Sequence, residues 1–442
     1  MKPHYRVAAL AAALLLLLGG CSFYSGDDLL LAPQPTRNFV ALQVQLRKIL
    51  DGGALYAVPQ SGRNRSTIQL VDFDNDGTDE AIAFFRDSST ASTFTVYVFK
   101  KTDDDYVLLD SVTGQGLSVQ AVEYPVFSRD GEKGLLVTWG LEDGQTSALT
   151  LCDFSPDSGI RTLLQTDFTN YRLSDLTGDG TDELFTISGD GAKGRTAVLY
   201  GYQDGRVSEL GRASVSQEAV SIVRLTAGWL EDGAAAVFAE ARPDSGTGLL
   251  TDIFVYGGGQ LRNITQNTES GASGGSYRAM SVYATDIDGD HITEVPQTVL
   301  MEGFSDPNEP DALYLLDWYA FASDGTPKLK RTTYHNVSEE WSFRLPEGWR
   351  SRVTASKETI GGVSRTTFCE YVEGGESPVI FSVYCCTGDQ RDRYAMREDL
   401  VALAETANAY YAGEIPPAAG ELSLSAEELS SRFSVLTTEW AN

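Results

Sequence analysis

The chain's 442 residues carry 34 basic against 62 acidic side chains, a formal net charge of −28, with 42% apolar content. That apolar share supports a packed core and excludes wholesale disorder. The acidity argues against nucleic acid as a partner, because phosphate binding needs clustered Lys and Arg, and three histidines leave little room for a His-rich zinc site.

Lys2 and Arg6 precede a continuous apolar run from Val7 to Leu18. The run is about twelve residues, short of the roughly twenty a membrane-spanning helix needs, and has the layout of a secretory signal. Leu18-Gly19-Gly20-Cys21 resembles the bacterial lipobox, with Gly19 where Ala or Ser is common. The resemblance implies a signal peptide over 1–20, lipidation of Cys21, and anchoring to the extracytoplasmic face of a membrane. Residues 21–56 then read as a lipidated N-terminus, a polar spacer containing Pro33 and Pro35, and a short helix. Phe39, Leu42, Leu46, Ile49 and Leu50 share one helical face, and Gly52-Gly53 ends it. The remaining cysteines, Cys152, Cys369, Cys385 and Cys386, are too few for a disulfide framework and read as small packing residues.

From residue 57 to 335, period-two apolar runs alternate with Gly/Asp/Ser turns, an all-β pattern. Residues 67–73, 80–86, 93–100 and 105–112 are four candidate strands, and the pattern returns near 117, 170, 218 and 275, at steps of about fifty residues. The second strand of each copy is strongly apolar, as in Gly134–Gly140, Glu183–Ser188, Gly233–Ala239 and Glu294–Leu300. Five four-stranded units at this period fit the blades of a β-propeller, none able to bury its faces without a neighbour.

Three of the five copies carry the same nine-residue acidic loop between the first and second strands. They run from Asp72 to Glu80, from Asp175 to Glu183, and from Asp286 to Glu294. Oxygens at positions 1, 3, 5 and 9, with the backbone carbonyl of 7, can converge on one ion, and Gly at position 6 supplies a tight turn. Hard oxygen donors in a flexible loop suit Ca²⁺ better than Mg²⁺, which demands a stricter octahedron. A metal-free acidic turn is the alternative. In the third loop His291 replaces the glycine, so a positive φ is expected there and the site is the one most exposed to distortion. Residues 126–134 and 225–233, the corresponding stretches of the second and fourth copies, lack most of the carboxylates and are expected to hold no metal.

These loops resemble the D-x-D-x-D-G-x-x-[DE] calcium loops of FG-GAP and VCBS repeats, the units of integrin-α-type propellers. The resemblance implies up to three structural Ca²⁺ ions. Asp72, Asp74, Asp76, Thr78 and Glu80 would hold the first, and Asp175, Thr177, Asp179, Thr181 and Glu183 the second. Asp286, Asp288, Asp290, Ile292 and Glu294 would hold the third, with Thr78, Thr181 and Ile292 giving backbone oxygen only. Such loops saturate the ion with protein oxygen, so the metal is expected to be structural, whereas Lewis-acid catalysis needs an open position.

Signals for chemistry are few. A Ser-His-Asp triad would have to use His291, in a candidate metal loop, or His335, at a domain junction. Ser188–Gly194 lacks the Gly-Lys-Ser/Thr order of a phosphate loop and reads as a turn. No residue is assigned a catalytic role.

Residues 336–442 read as a small α+β domain. Residues 366–372 and 379–386 form a hairpin. Asp392–Ala412 has helical spacing through Met396, Leu400, Leu403 and Ala407. A second helix is capped by Ser425 with Glu428 in capping-box position, and Phe433–Trp440 closes as a strand. Trp341 and Trp349 are expected core anchors, in a phrase that weakly resembles the opening of PsbP/Mog1-like sandwiches. The whole reads as an envelope-anchored module for binding protein or glycan partners. An extracellular carbohydrate-active enzyme and an envelope assembly factor are the alternatives.

Overall fold

A computed structural model describes residues 37–436 apart from 89–92, 103–104, 142–146, 157, 190–193, 274, 307–308, 310 and 418–420. The signal segment, Cys21 and the end of the last expected strand lie outside the described residues. The fold is mainly β, with six separate antiparallel sheets of four or five strands.

Helix α1 (Arg37–Asp51) leads into the first sheet: β1 (Ala54–Tyr56), β2 (Ile68–Val71), β3 (Glu80–Asp87), β4 (Thr93–Lys101) and β5 (Tyr106–Gln115). The second is β6 (Ser118–Glu123), β7 (Leu135–Gly140), β8 (Ser147–Ser155) and β9 (Gly159–Phe168). The third is β10 (Asn170–Ser174), β11 (Glu183–Ser188), β12 (Thr196–Gln203) and β13 (Arg206–Ser214). The fourth is β14 (Ser221–Trp229), β15 (Ala235–Arg242), β16 (Leu250–Gly257) and β17 (Gln260–Asn263). The second, third and fourth are up-and-down meanders, as the repeat predicts; in the first, β1 and β2 both pair with β3, and β3 to β5 run on as a meander.

The apolar second strands explain how the sheets stack. A strand flanked on both faces must be apolar at consecutive positions rather than alternate ones. Leu135, Val137 and Trp139 face the first sheet, packing with Ile82, Phe84 and Val96, whereas Leu136 faces the third, packing with Leu184. Phe185 and Ile187 then meet Val237, Ala239 and Phe254 of the fourth sheet, and Phe238 meets Val295 and Phe321 of the fifth. The outer face of the first sheet is covered by α1, through Leu42 and Leu46 against Ala81, Ala83 and Phe85. None of these clusters of described residues joins the first sheet to the fifth.

The fifth unit departs from the repeat. Its expected first strand is only a bridge, Thr285 to Glu294. Its sheet is β18 (Val295–Leu300), β19 (Tyr314–Phe321) and β20 (Pro327–Asn336), followed by β21 (Trp341–Arg344) and β27 (Phe433–Val435). The sheet therefore runs through residue 335, the expected domain boundary. Leu315 and Tyr334 share one core with Trp341, Trp349, Phe368, Phe381 and Tyr411. The sixth sheet, β22 (Val353–Ile360), β23 (Val363–Glu370), β24 (Val379–Thr387), β26 (Ala409–Glu414) and β25 (Val401–Glu405), supplies the other side of that core.

The expected helix over Asp392–Ala412 is replaced by a short helix α2 (Gln390–Ala395) and the β25–β26 hairpin. β24 has an edge to fill, and Tyr411 and Tyr410 pair with Cys385 and Cys386 along it. Thr406 closes the hairpin, its hydroxyl accepting the amides of Asn408 and Ala409 at 3.3 and 3.0 Å. Met396, on the expected apolar face, is 80% exposed, so tertiary pairing has overridden the helical spacing. Helix α3 (Ala426–Arg432) forms as expected, with the Ser425–Glu428 capping box in place. Ser425→Ala is expected to lower stability by about 1 kcal/mol, read as a shift of the denaturation midpoint at unchanged slope.

Candidate metal centre

The three acidic loops close in one register. The residue before each loop lies opposite position 9: Val71 with Glu80, Ser174 with Glu183, and Thr285 with Glu294. Inside each loop the hydrogen bonds repeat. The position-1 carboxylate accepts the amide of position 6: Gly77 to Asp72 at 3.0 Å, Gly180 to Asp175 at 2.9 Å, His291 to Asp286 at 2.8 Å. Position 5 accepts the amide of position 7, with Thr78, Thr181 and Ile292 donating to Asp76, Asp179 and Asp290 at 2.7, 2.9 and 2.9 Å. Position 9 accepts the amide of position 2, with Phe73, Leu176 and Ile287 donating to Glu80, Glu183 and Glu294 at 3.3, 2.8 and 3.1 Å.

Backbone conformation repeats as well. Position 6 has φ of 85°, 89° and 71° at Gly77, Gly180 and His291, so the histidine takes the left-handed turn required of it. Position 4 is left-handed too, at Asn75, Gly178 and Gly289. The Asn/Gly choice at position 4 was the available signal for that second turn. Nothing crowds a Cβ at Gly77 or Gly180, so backbone conformation alone selects glycine there. Replacing His291 by Gly is expected to raise stability by about 1 kcal/mol, and Gly77→Ala to lower it by a similar amount, both measured by denaturant unfolding.

The loops differ in how their carboxylates gather. Asp72, Asp74 and Glu80 each bring an oxygen within 4.8 Å of the others, as do Asp286, Asp288 and Asp290. The second loop brings no such trio together among the described residues: Thr177 takes position 3, and its hydroxyl donates to Glu183 at 3.1 Å. Asp74 Oδ1 and Glu294 Oε1 are buried acceptors with no hydrogen-bond partner. Burial, then repulsion from Asp74, Asp76 and Asp72, pushes Glu80 up to about 7 from the usual 4.5, despite the Phe73 amide. Burial and the Asp288, Asp290 and Asp286 charges do the same for Glu294, also to about 7. Glu183 is raised by burial. In the first loop a buried Glu80 is gathered with half-buried Asp72 and Asp74, whereas in the third Asp288 and Asp290 are exposed and the buried Glu294 lies outside the trio. Crowded carboxylates of this kind are an arrangement that a bound divalent cation would relieve. The residues of the first and third loops fit such an ion; the second fits it less well.

Cations distinguish the third loop. Lys330 of β20 lies 2.9 Å from Asp290 and 3.1 Å from Glu231, and Arg331 lies 3.6 Å from Asp288. Lys330 holds Asp290 below the usual carboxylate range. No such pair engages the first-loop carboxylates among the described residues. The expected distortion of the third loop by His291 is not what sets it apart; its cationic neighbours are, and spacing gave no hint of them.

Adjacent loops are tied together. The amide of position 8 reaches back to the preceding unit: Lys133 to Phe73 O at 2.8 Å, Asp182 to Val126 O at 2.8 Å, and Thr293 to Trp229 O at 3.0 Å. Asn75 donates to the Asp130 carbonyl at 2.7 Å and Arg129 to the Asp179 carbonyl at 2.8 Å. The second-unit loop, which lacks the ligands, thus bridges the first and third. In the fourth unit, Leu225, Ala227 and Trp229 belong to strand β14, and the turn is the shorter 230–234.

No protein-family model matches the chain, and no curated protein matches it. Similar solved structures include the exotype rhamnogalacturonan lyase YesX, at 14% identity and TM-score 0.29, covering 74% of this chain and 65% of that one. The Saccharomyces cerevisiae Sqt1 is 12% identical at TM-score 0.28, covering 77% and 85%. A 6-phosphogluconolactonase-like protein from Bacteroides uniformis is 15% identical at TM-score 0.21, covering 74% and 93%. At such TM-scores these likenesses assign neither fold nor function.

Proposed function

We propose that the chain is a lipid-anchored protein of the bacterial cell envelope whose calcium-stiffened stack of sheets serves as a binding or scaffold module for a protein or glycan partner. The observation that carries the reading is the shared hydrogen-bond skeleton of the three acidic loops, with buried acceptors left over at Asp74 and Glu294. The five successive sheets are blades of a propeller-like array related to FG-GAP and VCBS repeats. Helix α1 packs on the outer face of the first blade and the sixth sheet on that of the fifth.

Calcium here is structural. Asp72, Asp74, Asp76 and Glu80, with the Thr78 carbonyl, would hold the first ion in protein oxygen, and an ion at the third loop would compete with Lys330 and Arg331. The rim of linked loops is then held rigid, which preorganises whatever surface it presents to a partner. The anchor rests on the lipobox-like sequence ending at Cys21.

Fractionation of cells expressing the full chain tests the placement: the protein is expected with the membranes, and Cys21→Ser is expected to release it. Cross-linking in the native envelope, with calcium and with EDTA, tests the module. A partner retained only with calcium is the expected result, and identical cross-link patterns in both conditions would contradict it.

A further inference from the structure

We propose that the cleft between the first and second sheets, beside the first acidic loop, binds a small ligand bearing an oxyanion, a carboxylate or a phosphate, through Arg63, Arg65 and Lys133. The cleft has a volume of about 510 Å³, in the range of small-molecule sites. In a chain of net charge −28, its ionisable walls are these three cations against Asp72 and Asp79.

The arginines are carried on a built loop. Between β1 and β2 the chain leaves the first sheet and runs along β6 of the second. The amides of Gln60 and Ser61 donate to Val119 and Gln120 carbonyls at 3.1 and 2.8 Å, and the Asn64 side chain donates to Val122 O at 3.0 Å. Gln69, only 8% exposed, donates to the Asn64 and Ser66 carbonyls, both at 3.0 Å, and accepts from the Tyr124 hydroxyl. The backbone is therefore pinned on both sides of Arg65 by a part-buried polar network, centred on Gln69, that joins two sheets. Neither arginine forms an ion pair among the described residues, and both guanidinium groups keep the planar fork that pairs with carboxylate or phosphate. Lys133 directs one donor to the Asp72 carbonyl at 3.3 Å, leaving others for a ligand. Arg63 and Arg65 are exposed, and with Lys133 they place three cations along one open cleft over a pinned backbone, an arrangement that concentrates positive potential where an anion would sit.

The dependence on metal rests on the calcium reading, although the site itself does not. A Ca²⁺ ion on Asp72 would neutralise one of the two opposing carboxylates, so anion affinity is expected to rise with calcium.

Calorimetric titration of the full chain with galacturonate and with glucose 6-phosphate, each beside its neutral parent sugar, tests the proposal in calcium and in EDTA. At least one acid is expected to bind while galactose and glucose do not, and the better acid identifies the group. The double variant R63A/R65A is expected to weaken binding by roughly tenfold or more at an unchanged melting temperature. Failure of both acids, equal binding of the neutral sugars, or wild-type affinity in the double variant would overturn the site. Anion binding that ignores calcium would leave the site standing and count against metal in the first loop.

Discussion

Chelation with EDTA at neutral pH is expected to lower the melting temperature markedly, and to do so more at pH 8 than at pH 5. Two loops saturated at a hundred times their dissociation constants would contribute about 5 kcal/mol, on the order of 10 °C for a cooperative body of moderate size. The pH trend follows from Glu80 and Glu294, each held at about 7 against an ordinary 4.5. Between those values the folded metal-free protein binds protons that the unfolded chain does not. Their contribution to stability is therefore fully present below about 4.5 and is lost as pH rises through about 7. A bound calcium ion would compete for the same oxygens, so its stabilisation is expected to grow over that interval. Buried Asp252 is also raised and tilts the curve the same way, but it lies outside the acidic loops. The difference between melts with calcium and with EDTA isolates the loops. A difference that stays flat from pH 5 to pH 8 would contradict the proposed ligation.

Replacing Arg278 by Met is expected to cost about 3–5 kcal/mol, the range for leaving one member of a buried ion pair alone. Arg278 and Glu240 are 0% and 1% exposed at the side chain and 3.0 Å apart. The guanidinium also donates to Thr251 Oγ1 at 2.9 Å, to Ser276 O at 3.2 Å and to Val282 O. Glu240 accepts from the Ala284 amide at 2.5 Å. These bonds hold the irregular segment before the third acidic loop against the fourth sheet, where backbone bonds between Arg278 and Leu249 complete the clasp. Changing both residues, Arg278→Met with Glu240→Gln, is expected to recover part of the loss, because no unpaired charge remains. Denaturant unfolding of the single and double variants measures this coupling; equal destabilisation of the two would show that the pair is not energetically linked.

Period and composition made most of the strand order legible. The strand pairings of the first four sheets apart from that of β1, the capped helix after Ser425 and the hairpin at 366–386 are local consequences of alternation, turn residues and capping chemistry. The loops were legible because their geometry is local too: positions 1, 5, 6 and 9 act within nine residues. What could not be read depends on distant partners. β25 and β26 answer to the open edge of β24, and β21 and β27 complete a fifth sheet that lacks its own first strand. Lys330 lies 40 residues from Asp290 in sequence, and the Arg63 loop is fixed by the second sheet. Stacking in chain order was implied by the doubly buried second strands, but their apolar runs do not say whether the first sheet meets the fifth.

The most direct test of the metal assignment is a calcium-binding isotherm on the chelator-stripped protein, repeated with Glu80→Gln and with Glu294→Gln. Saturable binding is expected, with the first loop the tighter of the pair, and each substitution is expected to remove one ion from the stoichiometry. The absence of saturable binding, or an unchanged stoichiometry in both variants, would contradict the account.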